Sequence, residues 1–185
     1  MKQYEEYKDT GVKWIPMIPK HWGEIRFKYA LSMVTAKSTS EVKIGLENIE
    51  SYSAKFIQTD SVYEGNGIEA KKGDILYGKL RPYLAKVLLA EYDCNAVGDF
   101  YVFRCNESPC TAKFAKWLML SDNFTKICSA STYGAKMPRV SSDFINSLYI
   151  PLPPLAEQEK IVSFLKSKTL SIDAYVAERE RVTVA

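Results

Sequence analysis

Two short windows carry side chains suited to chemistry on a negatively charged partner. In LYGKLRPYLAKV, residues 76–87, Lys79, Arg81 and Lys86 stand among Tyr77 and Tyr83, and no acid lies between Ile75 and Ala90. In STYGAKMPRVSS, residues 131–142, Tyr133, Lys136, Arg139, Ser141 and Ser142 surround Gly134. From Asn123 to Ser142 there are 3 basic residues (Lys126, Lys136, Arg139) and again no acid, whereas Leu31 to Asp74 holds 5 Lys against 7 acids. Positive charge without a local counter-charge therefore gathers in these two places. Lys, Arg and hydroxyl donors are what phosphate contact requires, and Arg, Lys, Asn or Ser presented on loops or ribbons can read base edges. Gly134 allows close backbone approach. Each window taken alone also fits an ordinary solvated loop.

Catalysis needs a constellation that the sequence does not supply. His21 is the only imidazole and lies in a Trp- and Pro-rich arm, where a hydrogen-bonded, half-buried histidine is the plainer reading than a nucleophile's base. GNG at 65–67 lacks the spacing and strand–helix setting of a dinucleotide loop, and there is no P-loop. Asp60 and Glu64 sit among polar residues, as solvated turns do. The Asn-Pro-Pro-aromatic tetrapeptide of methyltransferases acting on the amino groups of DNA bases is missing. Cysteines 94, 105, 110 and 128 form no C-x-x-C pair, so neither a metal site nor a cofactor is expected, and reduced thiols are. The opening MKQYEEYKDTG has no apolar signal region, and no apolar run approaches the ~18 residues of a membrane span. The expectation is a cytoplasmic, membrane-free binding protein.

The elements that must position the two windows follow from periodicity. A chain of 185 residues, 46% hydrophobic, can build one core and an appended element. Its net charge of +3 is compatible with a nucleic-acid partner without demanding one. LYGKLRPYLAKV reads as strand, turn, strand with Pro82 at the turn. Pro16 and Pro19 in WIPMIPKHW forbid a regular helix and favour an extended strap carrying Trp14 and Trp22 over a hydrophobic surface. GEIRFKYAL starts the core, KIGLENI reads as a strand over Lys43–Ile49, and Phe100, Val102 and Arg104 alternate with Tyr101 and Phe103 as in a sheet. After Pro109, Phe114, Trp117, Leu118, Phe124, Ile127 and Cys128 recur at helical spacing, with a break near Ser121–Asn123. STYGAKMPRVSSDF reads as a polar loop, and INSLYIPLP as a last strand.

The fold class expected is a mixed α/β (α+β) domain over residues 1–151, followed over 152–185 by a long helix. Ile161, Leu165, Lys168, Ile172, Tyr175, Arg179 and Val182 alternate at spacings of four and three, a coiled-coil seam with Ile161, Leu165, Ile172 and Tyr175 as packing residues. About 30 residues at ~1.5 Å each make a rod of roughly 45 Å, too long for so small a domain to cover. The seam is expected to pair with a helix of another chain; a solitary amphipathic surface helix is the alternative.

LYIPLPPLAEQEKIVSFL resembles the segment that follows each target recognition domain in the specificity subunits of type I restriction-modification systems. YKDTGVKWIPMIPKHWGEIRFKYAL resembles the opening of those domains, GDILYGKLRPYLAKV their internal strand pair, and GAKMPRVSSDFINSLYIPLP their closing loop and strand. The resemblance covers essentially the whole chain. It implies a non-catalytic reader of about half of a split double-stranded DNA target, with a helix that sets the distance to a second reader. Partner modification subunits would carry the S-adenosylmethionine chemistry and a restriction subunit the nuclease. The DNA-facing residues it implies are Lys79, Arg81, Tyr83, Tyr133, Lys136, Arg139 and Ser141. Family members usually hold two recognition domains and two helices, whereas this chain has one of each. It resembles a half-subunit, which a homodimer through the helix would complete. The rival reading is a helix-mediated oligomerisation adaptor without DNA specificity, and a self-sufficient methyltransferase or nuclease ranks third.

Overall fold

The computed structural model describes residues 4–105 and 109–184. Chain order is β1 (Tyr7–Asp9), β2 (Met17–Pro19), β3 (Gly23–Arg26), α1 (Phe27–Ala30), β4 (Leu31–Val34), β5 (Lys43–Ile44), β6 (Ile68–Ala70), β7 (Ile75–Gly78), β8 (Val87–Leu89), β9 (Cys94–Ala96) and β10 (Phe100–Cys105). There follow α2 (Ala112–Leu120), α3 (Asp122–Ala130), α4 (Ser142–Ser147), β11 (Tyr149–Leu152) and α5 (Leu155–Val184). Short 3-10 turns occupy Leu46–Asn48 and Pro82–Leu84.

The main sheet has the order β4-β10-β7-β8, antiparallel throughout. Successive side chains of a strand point to opposite faces, and here both faces are covered. Ile75, Tyr77, Val87 and Phe103 join Phe27, Phe114 and Phe124 in one core beneath the helices. Leu76, Leu88, Phe100 and Val102 join Ile44, Ile49 and Ala96 in a second core, beneath the small sheet β5-β9-β6. Aromatic edges fill the first core: Phe27 meets Phe103 with ring centroids 4.9 Å apart, and Tyr77 meets Phe124 at 6.0 Å. The Trp-Pro arm is extended only over β2, where Pro19 pairs with Tyr7; turns closed by Ile15 N to Val12 O and by Trp22 N to Pro19 O flank it. Trp14 packs edge-on to Phe124, inside the core.

Two segments differ from the sequence expectation. The strand expected over Lys43–Ile49 stops at Ile44, because the Asn48 side chain accepts the Gly45 N–H at 2.9 Å and bends the chain into a 3-10 turn. The same amide donates to Ile57 O and to the Thr59 hydroxyl. At Gly45 a Cβ would stand 2.2 Å from the Tyr63 ring, which would have to move aside. The expected polar loop over 131–144 contains the start of α4, whose N-cap is Ser141 accepting from Phe144 N at 3.2 Å. The helix break near Ser121 is present, with Ser121 closing α2 and capping α3.

Helix α5 is anchored before it becomes a rod. Gln158 is fully buried; Ile161 and Val162 pack on the helical core, and Leu165, Thr169 and Asp173 continue as a half-buried edge. Lys55 reaches Asp173 at 2.7 Å. The expected seam begins on this inner edge at Ile161 and Leu165 and then turns away, leaving Ile172 61% and Tyr175 56% exposed. Among the described residues no helix is long and apolar enough to cross a membrane.

Candidate nucleic-acid interface

The two basic windows, some fifty positions apart in the chain, lie edge to edge. Arg81 N donates to Pro138 O at 2.8 Å, and Val140 N donates to Lys79 O at 3.2 Å. Leu80 and Arg139 form an isolated antiparallel bridge. Reciprocal bonds of 3.0 Å between Tyr133 and Arg139 close the second window into a loop, whose bend uses Gly134 at φ 87°. On the first window, Pro82 opens a 3-10 turn flanked by Arg81 and Ala85, both left-handed, at φ 50° and 45°. Few non-glycine residues hold that conformation.

The charges are not uncompensated, as the sequence windows suggested. Asp99 stands between them, just ahead of β10. Its carboxylate accepts Arg139 Nε at 2.9 Å and Nη2 at 2.8 Å, and Lys79 Nζ lies 4.0 Å away. The hydrogen bond from Arg139 holds the Asp99 carboxyl below the usual carboxylate range against an opposing effect of burial, with help from the charges of Arg139 and Lys79. Lys79 also sits over the Tyr101 ring. Lys86 donates to the carbonyls of Leu46 and Ile49 at 2.7 and 2.8 Å, an interior tie to the 3-10 turn.

Lys79, Arg139 and Ser141 are thus held by internal partners. Arg81, Tyr83, Tyr133 and Lys136 are exposed; among the described residues, neither Arg81 nor Lys136 has an acidic partner. Sequence reasoning missed Asp99, Tyr52 and Met137. Tyr52, left-handed at φ 65°, donates its hydroxyl to Tyr83 O, and Met137 is exposed beside Lys136. The acid directly after Gly98, at the mouth of the strand read over residues 100–104, was the available signal for Asp99.

A second polar cluster fixes the start of α5. Glu157 Oε1 lies 2.6 Å from His21 Nε2, while Oε2 accepts from Trp22 Nε1 at 2.7 Å and from the Tyr4 hydroxyl at 3.3 Å. Burial pushes the Glu157 carboxyl up, but these hydrogen bonds and the His21 charge outweigh it and hold the group below its ordinary value. His21 is therefore an anchor of the arm, as expected of a hydrogen-bonded histidine. Gln158 Oε1 accepts from Thr111 N and hydroxyl at 2.9 and 3.1 Å, and its Nε2 donates to the carbonyls of Pro153 and Pro109. Burial raises the thiols of Cys94 and Cys105 to about 11 and of Cys110 and Cys128 to about 12, so they stay protonated. Among the described residues no group of three or more His, Cys, Asp or Glu could hold a metal ion.

The chain has known relatives. The profile of the type I restriction modification DNA specificity domain matches residues 15–174. The type I restriction enzyme EcoDI specificity subunit of Escherichia coli is 28% identical over 159 residues, covering 81% of this chain and 35% of that protein. The MjaVIII specificity subunit of Methanocaldococcus jannaschii is 25% identical, covering 97% of this chain and 47% of that protein. The HsdS subunit from Thermoanaerobacter tengcongensis superposes with a TM-score of 0.69 at 20% identity, over 89% of this chain and 46% of that one. A chain from a type I restriction-modification assembly superposes with a TM-score of 0.63 at 16% identity, over 95% of this chain and 45% of that one. The chain spans between a third and a half of the length of these relatives. With most of its residues matched in sequence and the same mixed helix-and-strand fold ending in a long helix, it belongs to the type I restriction modification DNA specificity family.

Proposed function

We propose that this chain is a non-catalytic, sequence-specific DNA reader that serves as a half-subunit of a type I restriction-modification complex. One observation carries the reading: the two basic, aromatic windows, distant in sequence, are joined by main-chain hydrogen bonds into a single surface. Arg81, Tyr83, Tyr133 and Lys136 face the duplex, as side chains suited to phosphate and base edges. Lys79, Arg139 and Ser141 act in the same surface while bonded within it. Two copies pair through α5, whose exposed apolar residues Phe164, Ile172, Tyr175 and Val176 support a helix-to-helix contact. The dimer places two identical readers on a bipartite target and docks the modification and restriction subunits that supply the chemistry.

The test is methylome sequencing of cells carrying this chain with a modification partner, alongside a gel shift of the purified chain over a salt series. Methylation at a split inverted repeat and binding that weakens with salt are expected, since phosphate contacts release counterions. No salt-dependent DNA binding would leave the adaptor reading, with α5 as its only functional surface.

A further inference from the structure

We infer that Asp99 is a positioning residue that sets how strongly this protein prefers its target over other DNA, an inference resting on the DNA-reading role proposed above. Asp99 belongs to neither window, yet it contacts both. Its main-chain carbonyl accepts Lys79 N at 2.9 Å, its carboxylate takes two donors of Arg139, and Lys79 Nζ stands at 4.0 Å. The carboxylate is partly enclosed, 23% exposed, so solvent screens these contacts less than a surface pair's.

This geometry has opposite consequences for the two kinds of DNA binding. Contact with phosphate alone needs only loose positive charge, and each phosphate neutralised adds about 0.9 to the slope of log affinity against log salt. Base readout needs donors fixed in direction. Asp99 neutralises cations that would otherwise grip any duplex, and it fixes the loop over 133–139 against the Lys79–Arg81 segment. Arg81 and Lys136, which lack acidic partners among the described residues, remain as the freely acting charges of the surface.

The experiment measures binding of the full chain to a random-sequence duplex over a salt series, together with enrichment from a randomised duplex pool. Asp99→Asn keeps the size of the side chain and removes its charge. The expected result is a salt slope steeper by about 1 to 2, as one or both of Lys79 and Arg139 reach phosphate. Non-target affinity should rise, and enrichment of the preferred sequence should fall by at least about tenfold, the loss of one good base contact. A merely structural role would weaken both kinds of binding and leave the slope alone. The double variant Asp99→Asn/Arg139→Gln carries no orphaned arginine, and its slope should stay at or above the wild-type value. A slope unchanged in Asp99→Asn, or about 0.9 shallower than wild type in the double variant, overturns the inference while leaving DNA reading intact. A wild-type chain that binds neither the random duplex nor any pool sequence overturns both.

Discussion

Replacing Gln158 by leucine tests how the long helix is joined to the domain. The side chain is fully buried and links three segments. It accepts from Thr111 N and hydroxyl ahead of α2, and donates to Pro109 O and to Pro153 O ahead of α5. Leucine fills nearly the same volume, so no cavity accompanies the change. It leaves the Thr111 N–H and two proline carbonyls without this partner, each worth about 1–3 kcal/mol when stranded in the interior; the Thr111 hydroxyl, also released, still accepts from Phe114 N. The three do not add fully, because carbonyls tolerate under-satisfaction better than N–H groups, and the apolar side chain gains about 1 kcal/mol of transfer energy. A net loss of about 2–4 kcal/mol remains. For a chain of this size each kcal/mol moves Tm by about 2–4 °C, so a fall of roughly 4–16 °C is expected by circular dichroism. Glu159→Leu, at an exposed neighbouring position, is the control and should stay within about 0.5 kcal/mol of wild type. If Gln158→Leu melts within about 1 °C of wild type, water reaches these groups and the joint is not the side chain.

Arg81→Ala should leave stability within about 0.5 kcal/mol of wild type and weaken target DNA binding by about 1–3 kcal/mol, whereas Arg139→Ala should lower both Tm and affinity because it also strips Asp99 of its bidentate partner; equal melting curves for the two variants would contradict the distinction. Because Arg139 holds the Asp99 carboxyl below its ordinary value, its stabilising contribution is complete above the unfolded value near pH ~3.9 and lost as pH falls through the lower folded value. The Tm gap between wild type and Asp99→Asn should therefore close below about pH 4, and a gap that persists there would show that charge is not its source. Ending the chain after Thr169 should keep the domain's Tm, since the lost Lys55–Asp173 pair is half exposed and screened by solvent, while sedimentation should change from dimer to monomer. An intact chain that stays monomeric at tens of micromolar, on the order of a weak dimer constant, would refute pairing through α5.

What was legible in the sequence divides along a physical line. Strands and helices whose pattern comes from burial were readable: β10, the β7–β8 hairpin, the α2–α3 break at Ser121 and the long α5 all follow from local periodicity and caps. Elements set by a single side-chain bond were not. Asn48 turns KIGLENI into a short strand and a 3-10 turn, and Ser141 starts a six-residue helix inside a loop of polar composition. The site divides in the same way. The two windows were identifiable by composition, but the partner that neutralises them lies 20 residues from Lys79 and 40 from Arg139, beyond the reach of any local count of charge. Composition was readable there; the joining of the two windows and their net charge were not.

The run Ile150-Pro151-Leu152-Pro153-Pro154-Leu155-Ala156-Glu157-Gln158, which carried much of the family resemblance, now has a physical account. Ile150 is buried in the helical core and β11 pairs with β3. The two prolines after Leu152 end the strand, and Pro154 O accepts the N–H groups of Glu157 and Gln158 to start the helix. Glu157 then binds the arm through His21, Trp22 and Tyr4, and Gln158 binds the segment ahead of α2. Nine consecutive residues thus connect the first strands, the helical core and the rod. The consequence is mechanical: the direction of α5 follows the domain that it leaves, rather than swinging on a linker. The spacing role proposed for α5 requires a rigid root, and Glu157 and Gln158 supply one with seven hydrogen-bonding contacts from two adjacent side chains.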